Sequence, residues 1–495
     1  MPEYIRALVV ILALATVVFY FAKAPATAAA IAPDDFVRRR NTWICVTLAG
    51  FLSQNYWVFA IIVSLLTYNA AKKETNKVAM FFFLVLALPQ IKVEIPGFAG
   101  IRYFFTVDYV RILTAFILLP VCIDVRRQAL KSGAKSHGSD KILTAYIVLN
   151  LVLQAQYDVA TNVVRSAVNW GIDVVVPYYA ISRSVKDIKG FRDVLMCFIV
   201  AAMLASLVGV FEFLRHWILY SSAGDALGVL WDPGYLSRGE FLRASGTSGQ
   251  SIVLGYVIAI AICCFLALRR SVPRDVQYAA GMALLLAGVV SPLSRGPWVG
   301  LVVMLFVFTM LGDKPMRQFS RYLVVVLPIG VVLMFTDYGQ RVVEYLPFVG
   351  SVDVENVTYR QNLFDTSFQI ILDNPVFGST DYLLRMEELR QGQGIIDLVN
   401  SFLIVGLNTG FVGLGLYALF FALNLTAAYK RIKSAPLGSE LHVLGQALLA
   451  VTVGVLVITA TVSPINHVPL FLWSVAAMCM AFGSLGKPAS AVSKE

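Results

Sequence analysis

Apolar runs, each near the ~20 residues that cross a bilayer as a helix, recur along almost the whole chain. Short basic stretches punctuate them: 71–77, 124–141, 182–193, 269–275, 312–321 and 429–439. Lys and Arg concentrate in cytoplasmic loops of membrane proteins, so all six are assigned to the cytoplasmic side. Between neighbouring basic stretches the pattern predicts two crossings each time. These are 78–90 with 104–123, 142–156 with 163–181, 194–219 with 250–268, 276–291 with 297–311, and 322–336 with 402–427. A last pair, 440–461 and 466–483, returns the tail to the cytoplasm. The N-terminal part is less regular. Residues 5–23 are expected to be a retained first helix rather than a cleaved signal peptide. Residues 42–70 form either one long tilted helix or two halves broken near "GFLSQN". In the first case "RRR" at 38–40 violates the inside rule.

The expected fold is an all-α, polytopic integral membrane bundle of about fourteen spans. Its expected organisation is 1–76 as N-terminal spans, 77–336 as the transmembrane core, 337–401 as a large outer loop, 402–485 as C-terminal spans and 486–495 as a tail. Within the outer loop, "LFDTSFQIILDNP" has apolar residues at helical spacing and predicts an amphipathic helix at the membrane surface.

Composition agrees with this pattern. The 495 residues are 58% hydrophobic and 14% charged, with mean hydropathy +0.74, too apolar for a soluble globular chain. The net charge of +10 follows from the cytoplasmic loops and does not imply nucleic acid. The six cysteines lie in apolar runs without metal-ligand spacing, and are read as buried small residues. The four histidines are scattered, and no zinc-protease, P-loop or nucleophile-elbow pattern is present.

Candidate chemistry gathers on the outer face. Arg295 interrupts an apolar stretch in "SPLSRGPWVG", where a charge at the bilayer centre costs roughly 2.5–3.5 kcal/mol. Pro and Gly on both sides predict a tight turn at the outer headgroup level instead. Arg243 and Arg360 share that face. Three arginines flanked by Gly, Ser and Thr suit a diphosphate, because the guanidinium fork binds its oxygens in pairs and never loses its charge. Asp397 stands where the outer loop meets the next helix; it is either a helix cap or, with Asn400, part of a group that accepts a hydroxyl proton. Glu212 and His216, one turn apart, satisfy each other or line an outward cavity. Asp108 and Arg111 are expected to pair.

Five stretches carry a resemblance: "VVVPYYAISRSVKDIKGFRDVL" (174–195), "RASGTSGQSIVLGY" (243–256), "SPLSRGPWVGL" (291–301), "YRQNLFDTSFQIILDNPVFG" (359–378) and "DLVNSFLIVGLNTGFVGLGLY" (397–417). In order and spacing the chain resembles the O-antigen ligase and polymerase superfamily of bacterial envelope proteins. The resemblance implies a GT-C-type, inverting glycosyltransferase of the inner membrane, needing neither metal nor other cofactor, with its active site facing the periplasm. The implied donor is a glycan on undecaprenyl diphosphate, held by Arg243 and Arg295. The acceptor would be a glycan or glycolipid, and other polysaccharide-assembly proteins the implied partners. Ligases carry a His–Asn pair where this chain has Val399–Asn400; that departure favours a polymerase over a ligase. A flippase of lipid-linked oligosaccharide is the alternative from another class. It should place ionisable groups along mid-membrane helices and show repeated halves, whereas here those groups gather at the outer side.

Overall fold

The computed structural model describes residues 1–98, 100–133, 136–317, 320, 354–391 and 394–485. The expected span 322–336, the first part of the outer loop and the 486–495 tail lie outside the described residues. Eighteen helices are described, and apolar sequence sets where each runs. They are α1 (Glu3–Ala29), α2 (Pro33–Leu52), α3 (Tyr56–Lys72), α4 (Lys77–Leu84), α5 (Tyr109–Leu113), α6 (Leu119–Ser132), α7 (Gly138–Gln154), α8 (Ala160–Trp170) and α9 (Val176–Ser184). There follow α10 (Ile188–Arg215), α11 (Ala223–Leu227), α12 (Ser251–Ala267), α13 (Asp275–Val290), α14 (Arg295–Met310), α15 (Val354–Asp373), α16 (Ser401–Ser434), α17 (Glu440–Thr459) and α18 (His467–Gly483). Among the described residues the fold is all-α, apart from two short antiparallel hairpins. One pairs β1 (Val93–Pro96) with β2 (Tyr103–Val107), the other β3 (Ser237–Arg238) with β4 (Phe241–Leu242). The first hairpin takes the residues expected to begin the 104–123 span, so helix starts only at Tyr109.

α1, α10, α16 and α17 are long and apolar enough by length and composition to cross a membrane. α10 and α12 form the centre: α12 is buried almost throughout, and α10 packs against α1, α4, α12 and α13. Helices approach closely where side chains are small. A Cβ at Gly288 of α13 would fall 2.4 Å from Ser206 of α10, and one at Gly454 of α17 would fall 2.2 Å from Met304 of α14. Such contacts are how helices associate where lipid competes for every apolar surface. Four of the six cysteines are buried, but Cys45 is exposed and Cys122 half-buried, so burial does not explain all of them.

The basic stretches meet at one end of the bundle. Arg183 binds Asp140 and lies 3.0 Å from His137. Arg192 reaches Glu440 at 3.2 Å, and Arg270 donates to the Gly438 carbonyl at 2.6 Å. Arg39 belongs to this end. It is fully buried, 2.8 Å from Glu74 and 2.6 Å from Asp193. This settles the N-terminal ambiguity. The chain breaks at 53–55, where Asn55 caps α3 by accepting from Trp57 and Val58 N–H, and "RRR" lies with the other basic stretches. Asp108 and Arg111 pair as expected. Their charged atoms are 3.9 Å apart, and Asp108 also caps α5 through the Arg111 N–H at 3.0 Å. The Arg111 guanidinium makes a forked contact with Asp173, at 3.0 and 2.6 Å.

Candidate functional site

At the opposite end of the bundle, α13 gives way to α14 through the buried turn Ser291–Ser294. Its backbone is forced: Leu293 takes a left-handed φ of 48°, a costly conformation for a bulky residue. Several bonds hold it there. Arg238 donates to the Leu293 carbonyl at 2.7 Å. Arg243 donates from Nε to the Pro292 carbonyl at 3.1 Å and from Nη2 to Ser294 Oγ at 2.9 Å. The Ala244 N–H donates to the Ser291 carbonyl at 3.2 Å, and Trp298 Nε1 reaches back to the Val289 carbonyl at 2.8 Å. Arg295 is the first residue of α14 and half-buried. The turn thus brings together Arg243 and Arg295, two of the three sequence-predicted arginines, at a helix N-terminus, which favours anions through its exposed N–H groups. Arg238 was missed; its only signal was a second arginine five residues before Arg243.

The loop that carries Arg243 is anchored by Glu212. This carboxylate is fully buried and accepts three backbone N–H bonds, from Leu219 at 3.0 Å, Ser245 at 3.0 Å and Gly246 at 2.9 Å. Glu212 therefore neither satisfies His216 nor lines an outward cavity with it. Its partners are amides of distant loops, which a reading confined to one helix turn could not find. His216 is exposed and ends α10 in a left-handed conformation, φ 53°.

The second part of the site lies at the start of α16. Asn400 is the helix cap: its side chain accepts from the N–H groups of Phe402 at 2.9 Å and Leu403 at 3.2 Å. The cap considered for Asp397 is therefore made by Asn400 instead, whose amide oxygen is committed to it. Asp397 is half-buried. Its Oδ1 accepts from Ser463 Oγ at 2.8 Å. The Tyr359 hydroxyl, on α15, accepts from the Asp397 N–H at 3.0 Å and donates to its carbonyl at 3.2 Å. Burial pushes the Tyr359 phenol above its usual value. Arg360, the next residue on α15, is exposed, and the neighbour that acts on its charge is Asp397.

The loop between α17 and α18 joins these parts. Ser401 Oγ donates to the Val462 carbonyl at 2.9 Å, and Asn466 Nδ2 donates to the Ser248 carbonyl at 2.8 Å. A Cβ on Gly296, beside Arg295, would lie 2.7 Å from Thr461. The arginine turn, the Glu212-anchored loop and Asp397 therefore form one continuous band. It offers fixed positive charge beside a helix N-terminus and a carboxylate oriented by a serine. Those are the parts needed to hold a polyanionic leaving group and to accept a proton. Among the described residues, no group of three or more His, Cys, Asp or Glu side chains is placed to hold a metal ion.

Above this band α15 packs on the start of α16. Ile370, Ile371, Leu403 and Leu407 make a small core of their own with Met386. The amphipathic helix expected from "LFDTSFQIILDNP" is thus present as part of α15. The opposite side of α15 leaves Phe364, Phe368 and Leu372 exposed at helical spacing. α16 is interrupted at Gly410, whose φ of 60° and ψ of −161° are not helical. The N–H groups of Phe411 and Val412 turn there to the carbonyls of Pro375, at 2.7 Å, and Val376, at 3.3 Å.

Residues 279–418 match the model of the Wzy_C family, described as O-Antigen ligase. The match includes Arg295, Arg360, Asp397 and Asn400, and it shows the resemblance to the O-antigen ligase and polymerase superfamily that the sequence motifs carried. No curated protein matches the chain. Together with its apolar helices, the family match makes this an integral membrane protein.

Proposed function

We propose that the protein is a metal-independent glycosyltransferase that polymerises lipid-linked glycan units. The observation that carries this reading is the Arg243 guanidinium, bonded to Pro292 and Ser294 in the turn that launches Arg295. In this reading the basic end of the bundle faces the cytoplasm and the site end faces the periplasm, with about fourteen spans between them. The donor is a glycan on undecaprenyl diphosphate. Arg243 and Arg295 bind the diphosphate at the membrane surface, with Arg360 closer to the sugar and Asp397. This also accounts for Arg295 in an apolar stretch, because the charge is offset by the anion it binds.

The step balances as a displacement with inversion. An acceptor hydroxyl oxygen forms a bond to the anomeric carbon, and the bond from that carbon to the diphosphate oxygen breaks. The hydroxyl proton passes to the Asp397 carboxylate. The leaving diphosphate carries away the electron pair, stabilised by arginines already in position. Asn400 sets the helix that positions Asp397, and Glu212 sets the loop that positions Arg243. Val399 stands where ligases of this superfamily carry histidine, which favours polymerisation over transfer to a lipid A–core acceptor.

The test is the lipid-linked glycan profile of a strain lacking the gene. Single repeat units accumulating on the carrier, accessible from the periplasm, support polymerisation. Long polymer accumulating on the carrier identifies a ligase. Single units trapped on the cytoplasmic side identify a flippase and overturn the roles given to the arginines.

A further inference from the structure

Beside the Asp397–Ser463 junction, a cavity of about 410 Å³ lies between α7, α8, the first part of α16 and the start of α18. That is within the ~300–1,000 Å³ of small-molecule sites. One part of its lining is aromatic. Trp170 lies with ring centroid 5.7 Å from Tyr146 and 6.4 Å from Trp473, and Trp473 lies 5.9 Å from Tyr417. Aliphatic side chains, among them Ile404, Val405, Val468 and Leu472, make most of the rest apolar, and polar groups are set among them: Asn150, Ser166, Asn169, Asp173 and Asn408. Asn150 and Asn408 each donate at 2.8 Å to the carbonyl one turn back, which fixes both amides on the wall. Asp173 is held by the Arg111 fork.

Two features point to a ligand. The Asn169 Oδ1 is buried and has no hydrogen-bond partner among the described residues, an unfavourable state for a polar atom. Next to it the helix widens into a π-turn, Gly171–Val175, a deformation that recurs at functional sites. Rings beside amides and a carboxylate suit a molecule with an apolar face and a rim of hydroxyls. A pyranose is such a molecule: its C–H face lies on an aromatic ring while its hydroxyls meet the polar groups.

We propose that this cavity is a saccharide-binding site, and that it holds the acceptor sugar of the transfer. The word acceptor rests on the function proposed above; the binding of a sugar does not. Ser401 and Pro464 belong to the cavity lining. Ser463, which donates to Asp397, is the residue before Pro464. The cavity therefore comes within one residue of the serine that donates to Asp397, the side from which an acceptor hydroxyl would approach.

The test uses the full-length protein in nanodiscs and a one-repeat oligosaccharide released from the host strain's own surface polysaccharide. Binding is read from intrinsic tryptophan fluorescence. A saturable change is expected in the parent protein, largely lost in Trp170→Ala. Asn169→Ala and Asn150→Ala should each weaken binding about tenfold, the loss of one good hydrogen bond. Arg295→Ala should titrate like the parent while losing transfer. Absence of a saturable change in the parent, or parental affinity in both asparagine variants, overturns the proposal. So does saturation of the same site by undecaprenyl phosphate without sugar. If the gene-deletion strain shows an unaltered lipid-linked glycan profile while the titrations behave as expected, the transfer reading fails and the saccharide site stands.

Discussion

Nη2 of Arg243 lies 2.9 Å from Ser294 Oγ, so the guanidinium of the loop before α12 is fastened to the residue that precedes Arg295. The two arginines are one unit built from separate segments. Replacing Arg295 with alanine should leave the protein in the membrane and lower transfer by about 10²–10³-fold, the usual effect of removing one stabilising group from a developing anion. Arg295→Lys should recover little, because a point charge does not reproduce the fork. Polymer on a gel, read against membrane content by immunoblot, checks both.

Glu212 supports this unit from below. In Glu212→Ala three buried N–H groups lose their acceptor, at roughly 1–3 kcal/mol each. A marked fall in the unfolding temperature in detergent is expected. Glu212→Gln keeps one acceptor oxygen and should fall between alanine and the parent. An unchanged unfolding temperature in the alanine variant would show that the loop does not depend on this carboxylate.

For Asp397, replacement by asparagine should reduce turnover by about 10²–10⁴-fold, the range of a general base, with donor affinity little changed. Ser463→Ala, which removes only the orienting bond, should reduce turnover less. Equal turnover in Asp397→Asn and the parent places the base elsewhere.

Asn400 makes the opposite prediction. As a cap, its replacement by alanine should cost about 1 kcal/mol of stability, while aspartate and serine should cap nearly as well. Activity per folded molecule should then be near parental in Asn400→Asp. An inactive but stable Asn400→Asp would give the amide a chemical role.

Topology has its own test. Thr380 is exposed in the segment joining α15 to α16. A cysteine placed there should react with an impermeant maleimide in intact spheroplasts, above the background of the parent chain. Reaction only after permeabilisation would invert the proposed orientation.

Legibility in the sequence followed the range of the interactions. Helices announced themselves because an apolar run is a local property: 276–291 and 297–311 were expected, and α13 and α14 run Asp275–Val290 and Arg295–Met310, though each is shorter than the helices long enough to cross a membrane. The arginine turn was legible for the same reason, through Pro and Gly around Arg295. What failed was pairing across distance. Arg39 looked misplaced because Glu74 and Asp193 are far along the chain. Arg111 does pair with its near neighbour Asp108, yet its shorter, forked contact is with the distant Asp173. Glu212 was matched to His216, yet the carboxylate faces backbone amides that follow Arg243. Asn400 was a recognisable cap by its position before an apolar run, and a resemblance drew attention to it for chemistry instead.

The interruption of α16 at Gly410 has a mechanical consequence. Its stitches to Pro375 and Val376 make the 374–379 segment a splice in the main shaft of the bundle rather than a flap resting on it. A Cβ at Gly410 would lie 2.5 Å from the Val376 carbonyl, so the splice tolerates only glycine. The stretch of α16 above the splice bears Asn408 and Ser401 of the cavity at one side and follows directly from Asp397. Any displacement of α15 therefore carries the cavity wall and the carboxylate with it.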